Sequence, residues 1–449
     1  MEVIPFYNKE KSESVKMGEV KKDTFQTQVV NEEILKNLSL KKRNAWLRAN
    51  LMTVLDEQEI GFFDEVSRFT LKMEKEVNHW KDDVYTWIPK FGEKGYVCRN
   101  QNYAEVGVDW GDLAGLHIEL MRNLAVDLFD PQFNMGMSAT ILAINPIKAH
   151  HENREVCLQA LKELITGKAV GAILITEPER GSESTRPLTK TDPQADGSFI
   201  VNGVKAYNTN APKSKWLVLY GAPDPSSPDT PNQMTQLLVQ IPQSSIKIER
   251  VNIPWVPKLH LGKETFTNCR IPKDQVLGGI GKGREHQFEG LIPERLGIAM
   301  SNVSECWGAL AYASLYSSMR QQMGKPILMH QGVGFLLCEW WAKTANYFQG
   351  LLRFAEQYDV KMKKYNNELP AALKGGLLFS VAQLKYEGAS LSDRVCYEMA
   401  NLMGGAGVCD NTLMQDLLGV SRIQEIVGGT RQIMFYLLTS GQRQLFKMT

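Results

Sequence analysis

Residues 400–432 read ANLMGGAGVCDNTLMQDLLGVSRIQEIVGGTRQ, and the rest of the chain is organised around them. Two glycine clusters, Gly404-Gly405-Ala406-Gly407 and Gly428-Gly429-Thr430, bracket a helical segment, with long amphipathic helices on both sides. Glycine there breaks helices that the composition would otherwise continue. A chain accepts that cost where its backbone N–H groups must face a ligand, so the breaks read as a site; plain helix stops would share the pattern.

Working outward, 449 residues at 43% hydrophobic and 22% charged suit a large core divided among two or three domains. Lysine plus arginine total 51 against 50 acidic residues, which leaves no long-range field to draw in nucleic acid or an anionic membrane. The N-terminus MEVIPFYNKEKSESVKMGEVKK lacks the apolar core of a signal peptide and fits a mitochondrial transit peptide poorly, and no stretch is apolar for the ~20 residues a membrane span needs. The seven cysteines are dispersed with no C-x-x-C pair, so a reducing cytoplasm is the expected home.

Residues 1–30 are polar and weakly periodic and read as a tail. Over 31–169 apolar residues recur every three or four positions, as in NEEILKNLSLKKRNAWLRANL and DLAGLHIELMRNLAVDLF, which predicts packed helices. From 170 to 285 the runs GAILIT, SFIVNGVKAYNT, KWLVLYGA, MTQLLVQIP, IKIERVNI and ETFTNCRIP predict strands, with no helical pattern between them to carry parallel crossovers. Residues 286–449 return to long helices, the first expected to start at Pro293, where proline suits the opening turn.

Several apparent motifs are dismissed. Gly278–Gly283 resembles a phosphate loop, but glycine follows Lys282 where Ser or Thr should hold magnesium. His150-His151-Glu152 lacks metal-ligand spacing and reads as solvated helix-end residues, so no metal is expected. No G-x-S-x-G elbow exists for a serine hydrolase. By contrast, Thr176-Glu177-Pro178-Glu179-Arg180-Gly181-Ser182 leaves a strand end with hydroxyls and N–H groups able to meet a planar polar ligand, and the later Tyr207-Asn208-Thr209 adds an aromatic and a second hydroxyl.

The ordered segments ILITEPERGSES, DGSFIVNGVKAYNTNAPKSKW, RIPKDQVLGGIGKG, MRQQMGKPILMHQ, NLMGGAGV and EIVGGTRQI resemble the acyl-CoA dehydrogenase family of flavoproteins over about residues 150–449. The resemblance implies an α+β fold: an N-terminal helical domain, a central β-barrel and a C-terminal four-helix bundle. It implies FAD, with Ile175, Thr176, Ser182, Tyr207 and Thr209 lining the flavin ring. Arg320, Met323, His330 and Gln331, with the turn Asn401, Gly404 and Gly405, would bind the pyrophosphate and adenosine part of a neighbouring subunit's FAD, and Thr430 and Gln432 would complete the pocket. Such sharing implies a homodimer or homotetramer, and the family's electron acceptor is an electron-transfer flavoprotein.

The chain departs from the family pattern at three places. Tyr207 stands where tryptophan is common, and Gly419-Val420 where Arg-Asp is usual, which implies different local packing. Many members carry a catalytic glutamate just before the last Gly-Thr; here that residue is Gly428. The isovaleryl and long-chain branches place the glutamate at the start of the first bundle helix, and the matching residue is Glu294, whose bland alternative is an acid favouring the helix dipole. Gly428 would then offer its N–H to the thioester oxygen, with Arg295 and Ser182 helping to hold the substrate. The expected reaction is α,β-dehydrogenation of an acyl-CoA, its acyl group branched, alicyclic or long. The alternatives are an enoyl-CoA reductase, a flavin monooxygenase or oxidase on the same fold, and a non-catalytic CoA-binding relative.

Overall fold

The computed structural model describes residues 34–448 apart from 36, 367, 410 and 411, so the tail read at 1–30 lies outside the described residues. Helices α1 (Leu40–Leu51) and α2 (Glu57–Met73) open the described chain. A reciprocal cap starts α2: Glu59 N donates to Asp56 at 2.8 Å, and Asp56 N donates back to the Glu59 carboxylate at 3.1 Å. Helices α3 (Leu116–Phe129) and α4 (Pro131–His150) follow, separated by Asp130, whose carboxylate accepts from Phe133 N. Periodicity in the sequence had not marked α4, because it is buried almost all round and shows no polar face. Helix α5 (Glu155–Ile165) leads into the strands.

The expected barrel is instead two four-stranded sheets. One runs β1 (Gly171–Leu174), β4 (Trp216–Gly221), β5 (Thr235–Gln240), β8 (Val276–Leu277). The other runs β2 (Lys190–Pro193), β3 (Phe199–Thr209), β7 (Leu261–Ile271), β6 (Ile246–Val251). Leu174, Leu217 and Leu237 of the first meet Phe199, Val201 and Phe266 of the second in one core. Among the described residues the sheets are thus joined by side chains and a few backbone links, the Lys190–Ala222 bridge and Ala206 N to Thr176 O, rather than by a ladder closing on itself. Strand alternation fixes which face is buried but not whether the ladder closes. No helix was expected between the strands to carry a parallel crossover, yet β1 pairs with β4 in parallel, the chain crossing through β2 and β3 instead.

Five helices complete the chain: α6 (Gly283–Met319), α7 (Gln331–Lys364), α8 (Ala371–Met403), α9 (Leu413–Gln424) and α10 (Arg431–Met448). Pro293 does not start α6 but lies within it. The preceding turns bury His286, Gln287 and Ile292, which offsets the hydrogen bond proline removes. His150, expected in solvent, stacks on His286 at 3.8 Å between centroids. Gly419 is explained as well: a side chain there would meet the Trp255 carbonyl at 1.8 Å, so only glycine lets α9 lie against that loop.

Candidate active site

Helix α6, the end of β1, strand β3 and the turn after α9 converge on one cavity of about 190 Å³. Ile175 and Thr176 enter it from just beyond β1. They are held there by an ion pair that sequence reasoning missed: Lys205 Nζ, fully buried, donates to Ile175 O at 3.0 Å and to Glu177 Oε1 at 2.9 Å. Glu177 also accepts from the N–H groups of Leu188 and Thr189, so the turn carrying Thr176 is fixed on both sides. Nothing in a lone Lys and a lone Glu 28 residues apart signals such pairing.

Tyr207 and Thr209 line the same cavity. The β3–β7 register shifts between Ala206 and Asn208, leaving Tyr207 57% exposed with φ 62. A bulge re-aims a side chain, and an aromatic residue held in the left-handed region is strain that marks a working position.

Glu294 faces this wall from α6. It sits well inside the helix that begins at Gly283, so the first-turn dipole reading does not apply. Burial pushes its carboxyl above the usual range, and the charges of Arg295 and Lys385 pull only partly the other way. Gly428 lies opposite at φ 65; a side chain there would come within 2.5 Å of Ile298 Cδ1 and 3.5 Å of Glu294 Oε1. A carboxylate at 428 would therefore contend with Glu294 for one space, and the glycine leaves it to Glu294.

Two buried cations hold that turn. Arg295 Nε donates to Gly428 O at 3.2 Å, and Lys385 Nζ donates to Glu425 O at 3.1 Å and Gly429 O at 2.8 Å. Lys385 was not singled out from the sequence. Arg295, expected to help hold substrate, is 3% exposed, lies outside the lining of this cavity and reaches it through the Gly428 carbonyl. Ser182 is exposed on the loop after Thr176 and does not line the cavity.

The other expected cofactor residues lie outside this cavity. Arg320 precedes the hairpin Gln321–Gln322/Lys325–Pro326, Met323 sits in its turn, 91% exposed at φ 50, and His330 and Gln331 begin α7. Asn401, Gly404 and Gly405 are exposed at the end of α8, and Gln432 is exposed at the start of α10 beside a half-buried Thr430. A second, larger cavity of about 800 Å³ shares Asn100, Leu116, Asn145 and Pro293 with the first and carries Lys148 and Lys374.

A family model described as acyl-CoA dehydrogenase, C-terminal domain, matches residues 281–441. The mitochondrial isovaleryl-CoA dehydrogenase of Oryza sativa subsp. japonica is 26% identical over 379 residues, 82% of this chain and 85% of that protein. Residues 281–441 thus carry an acyl-CoA dehydrogenase C-terminal domain, and the chain over most of its length is similar to members of that family. Solved structures carry the same fold: butyryl-CoA dehydrogenase from Megasphaera elsdenii at TM-score 0.76 and 19% identity, over 86% of this chain and 98% of that one. A glutaryl-CoA dehydrogenase from Mycobacterium smegmatis in complex with FADH2 gives TM-score 0.75 at 16% identity, over 86% and 95%. Among the described residues no helix is long and apolar enough to cross a membrane.

Proposed function

We propose that the chain catalyses FAD-dependent α,β-dehydrogenation of an acyl-CoA thioester, with Glu294 as the base. One observation carries the reading: a carboxyl raised by burial shares a cavity with Thr176, Tyr207, Thr209 and the Gly428 turn. The α-proton of a thioester is weakly acidic, and a desolvated carboxylate positioned beside it is suited to remove it. The proton passes to a Glu294 oxygen while the Gly428 N–H, held by Arg295 and Lys385, meets the thioester oxygen as negative charge develops there.

The wall fits a flavin: apolar Ile173 and Ile175 beside the hydroxyls of Thr176 and Thr209, with the Tyr207 ring at the edge. When bound, FAD supplies the acceptor for the β-hydride. Arg320, Met323, His330, Gln331, Asn401, Gly404, Gly405, Thr430 and Gln432 are proposed to hold the remainder of an FAD shared between copies of the chain, a homodimer or homotetramer; the exposure of Met323, Gln331, Asn401, Gly404, Gly405 and Gln432 in the single chain supports this. Ser182 is proposed to close over the flavin and substrate from its loop. The CoA part would occupy the larger cavity beside Lys148 and Lys374. Electrons would leave to an electron-transfer flavoprotein. Seven unpaired cysteines support a reducing, cytoplasmic setting.

The purified protein should show a flavin absorbance, and anaerobic addition of acyl-CoAs should bleach it. A colourless protein unable to take up FAD overturns the reading. Flavin that resists bleaching by every acyl-CoA yet consumes oxygen when reduced would make it an oxidase or monooxygenase.

A further inference from the structure

Beyond Glu294, the largely apolar wall of the cavity is interrupted by polar side chains that an alkyl chain would leave unsatisfied. On α6, Gly297, Ile298 and Ser301 continue the face that carries Glu294, and all line the cavity. Ser301 lies seven residues further along, about 10 Å down the axis. Gln424, the last residue of α9, lines the cavity too.

Most polar groups around this space are already committed. Glu119 accepts from Arg99 N at 2.6 Å and Arg122 Nε at 2.7 Å. Asn123 donates to Glu119 O and accepts from Asn134 Nδ2, each at 2.9 Å. Asn100 donates to Asn145 Oδ1 at 2.9 Å. Two groups differ: Ser301 Oγ and Gln424 Oε1, on side chains 2% and 3% exposed, have no partner. Buried polar atoms are almost always satisfied, so these two await a group that enters with the ligand.

We infer that the substrate's acyl chain carries a neutral hydrogen-bonding group, a hydroxyl in its simplest form, which Ser301 and Gln424 bind about two helical turns beyond the reacting carbons. This rests on the dehydrogenase reading and names the substrate class of that same site. A hydroxyl donates to Gln424 Oε1 and accepts from Ser301 Oγ, matching both vacancies at once. A distal carboxylate is disfavoured, because the carboxylate of Glu119 lines the same space.

The test compares hydroxyalkyl and alkyl CoA thioethers of equal chain length, which lack the thioester carbonyl and cannot react, by calorimetry on the FAD-loaded protein. The hydroxylated ligand is expected to bind at least about tenfold tighter, and Ser301→Ala and Gln424→Leu each to bring the ratio toward one. The matching thioesters should show the same ratio in kcat/KM. Equal binding, or tighter binding of the alkyl ligand or of an ω-carboxyalkyl one, overturns the inference while bleaching by acyl-CoAs still upholds the dehydrogenase. Failure of any acyl-CoA to bleach the flavin overturns both.

Discussion

Asp130 and Glu294 are both acids enclosed by this protein, and their surroundings are opposite. Asp130 is fully buried between α3 and α4, where it accepts from His79 Nδ1 at 2.9 Å and Lys258 Nζ at 2.7 Å. Burial opposes its charge, but the Lys258 and His79 cations outweigh burial and hold its carboxyl below the usual range. Lys258 also bonds Asp416 on α9, so this junction ties the N-terminal helices, the strand region and the C-terminal helices together. Glu294 has cations only at one remove, both engaged with backbone carbonyls of the Gly428 turn, and burial wins. A paired buried acid is structural; one left facing a cavity is available for chemistry.

The sharpest challenge to this contrast is Glu294→Gln. Turnover of acyl-CoA should fall about 100-fold or more with FAD still bound, since the amide fills the space but takes no proton. Unchanged turnover would move the base elsewhere. Next is Lys258→Met, which leaves Asp130 with His79 as its one remaining cation and Asp416 with only the Gln132 amide; it should cost about 3–5 kcal/mol of stability in denaturant unfolding. A loss below 1 kcal/mol would mean the junction relaxes or admits water.

Gly428→Ala should have a smaller effect, about a tenfold drop in kcat/KM, from strain at a positive φ and pressure on Ile298, which shifts the turn facing Glu294. Wild-type kinetics in that variant would remove the turn from the mechanism. The mildest change concerns pH. Burial opposes the His79 charge, but the Asp130 and Glu74 carboxylates push its pKa up from 6.5 to about 9. Its folded value lies above its unfolded one, so its stabilising contribution is full below pH 6.5 and is lost as pH rises through about 9. Melting temperatures over that window should decline in the wild type and flatten in His79→Gln.

Local patterns made much of this legible. Periodicity marked the helices on either side of the strands, and the residues at 175, 176, 207, 209, 294 and 428 that the sequence singled out do line one cavity. Helix α4 escaped notice because burial on all sides erases a polar stripe, and it supplies Met135, Ser138 and Ala139 to the cavity wall. Pro293 misled in the other direction: proline reports a missing N–H, and packing around His286 and Ile292 carries the helix through it.

Sequence by itself determined the order of helical and strand regions, the glycine turns, and the presence of an acid at 294, because each rests on residues within a few positions of one another. Tertiary structure alone decided that the strands form two sheets, that Lys205 meets Glu177, that Lys258 meets two aspartates, and that Ser301 and Gln424 are left unpaired beside the cavity. Those outcomes depend on groups far apart in the chain competing for partners inside a low-dielectric interior, and that competition has no signature in local composition.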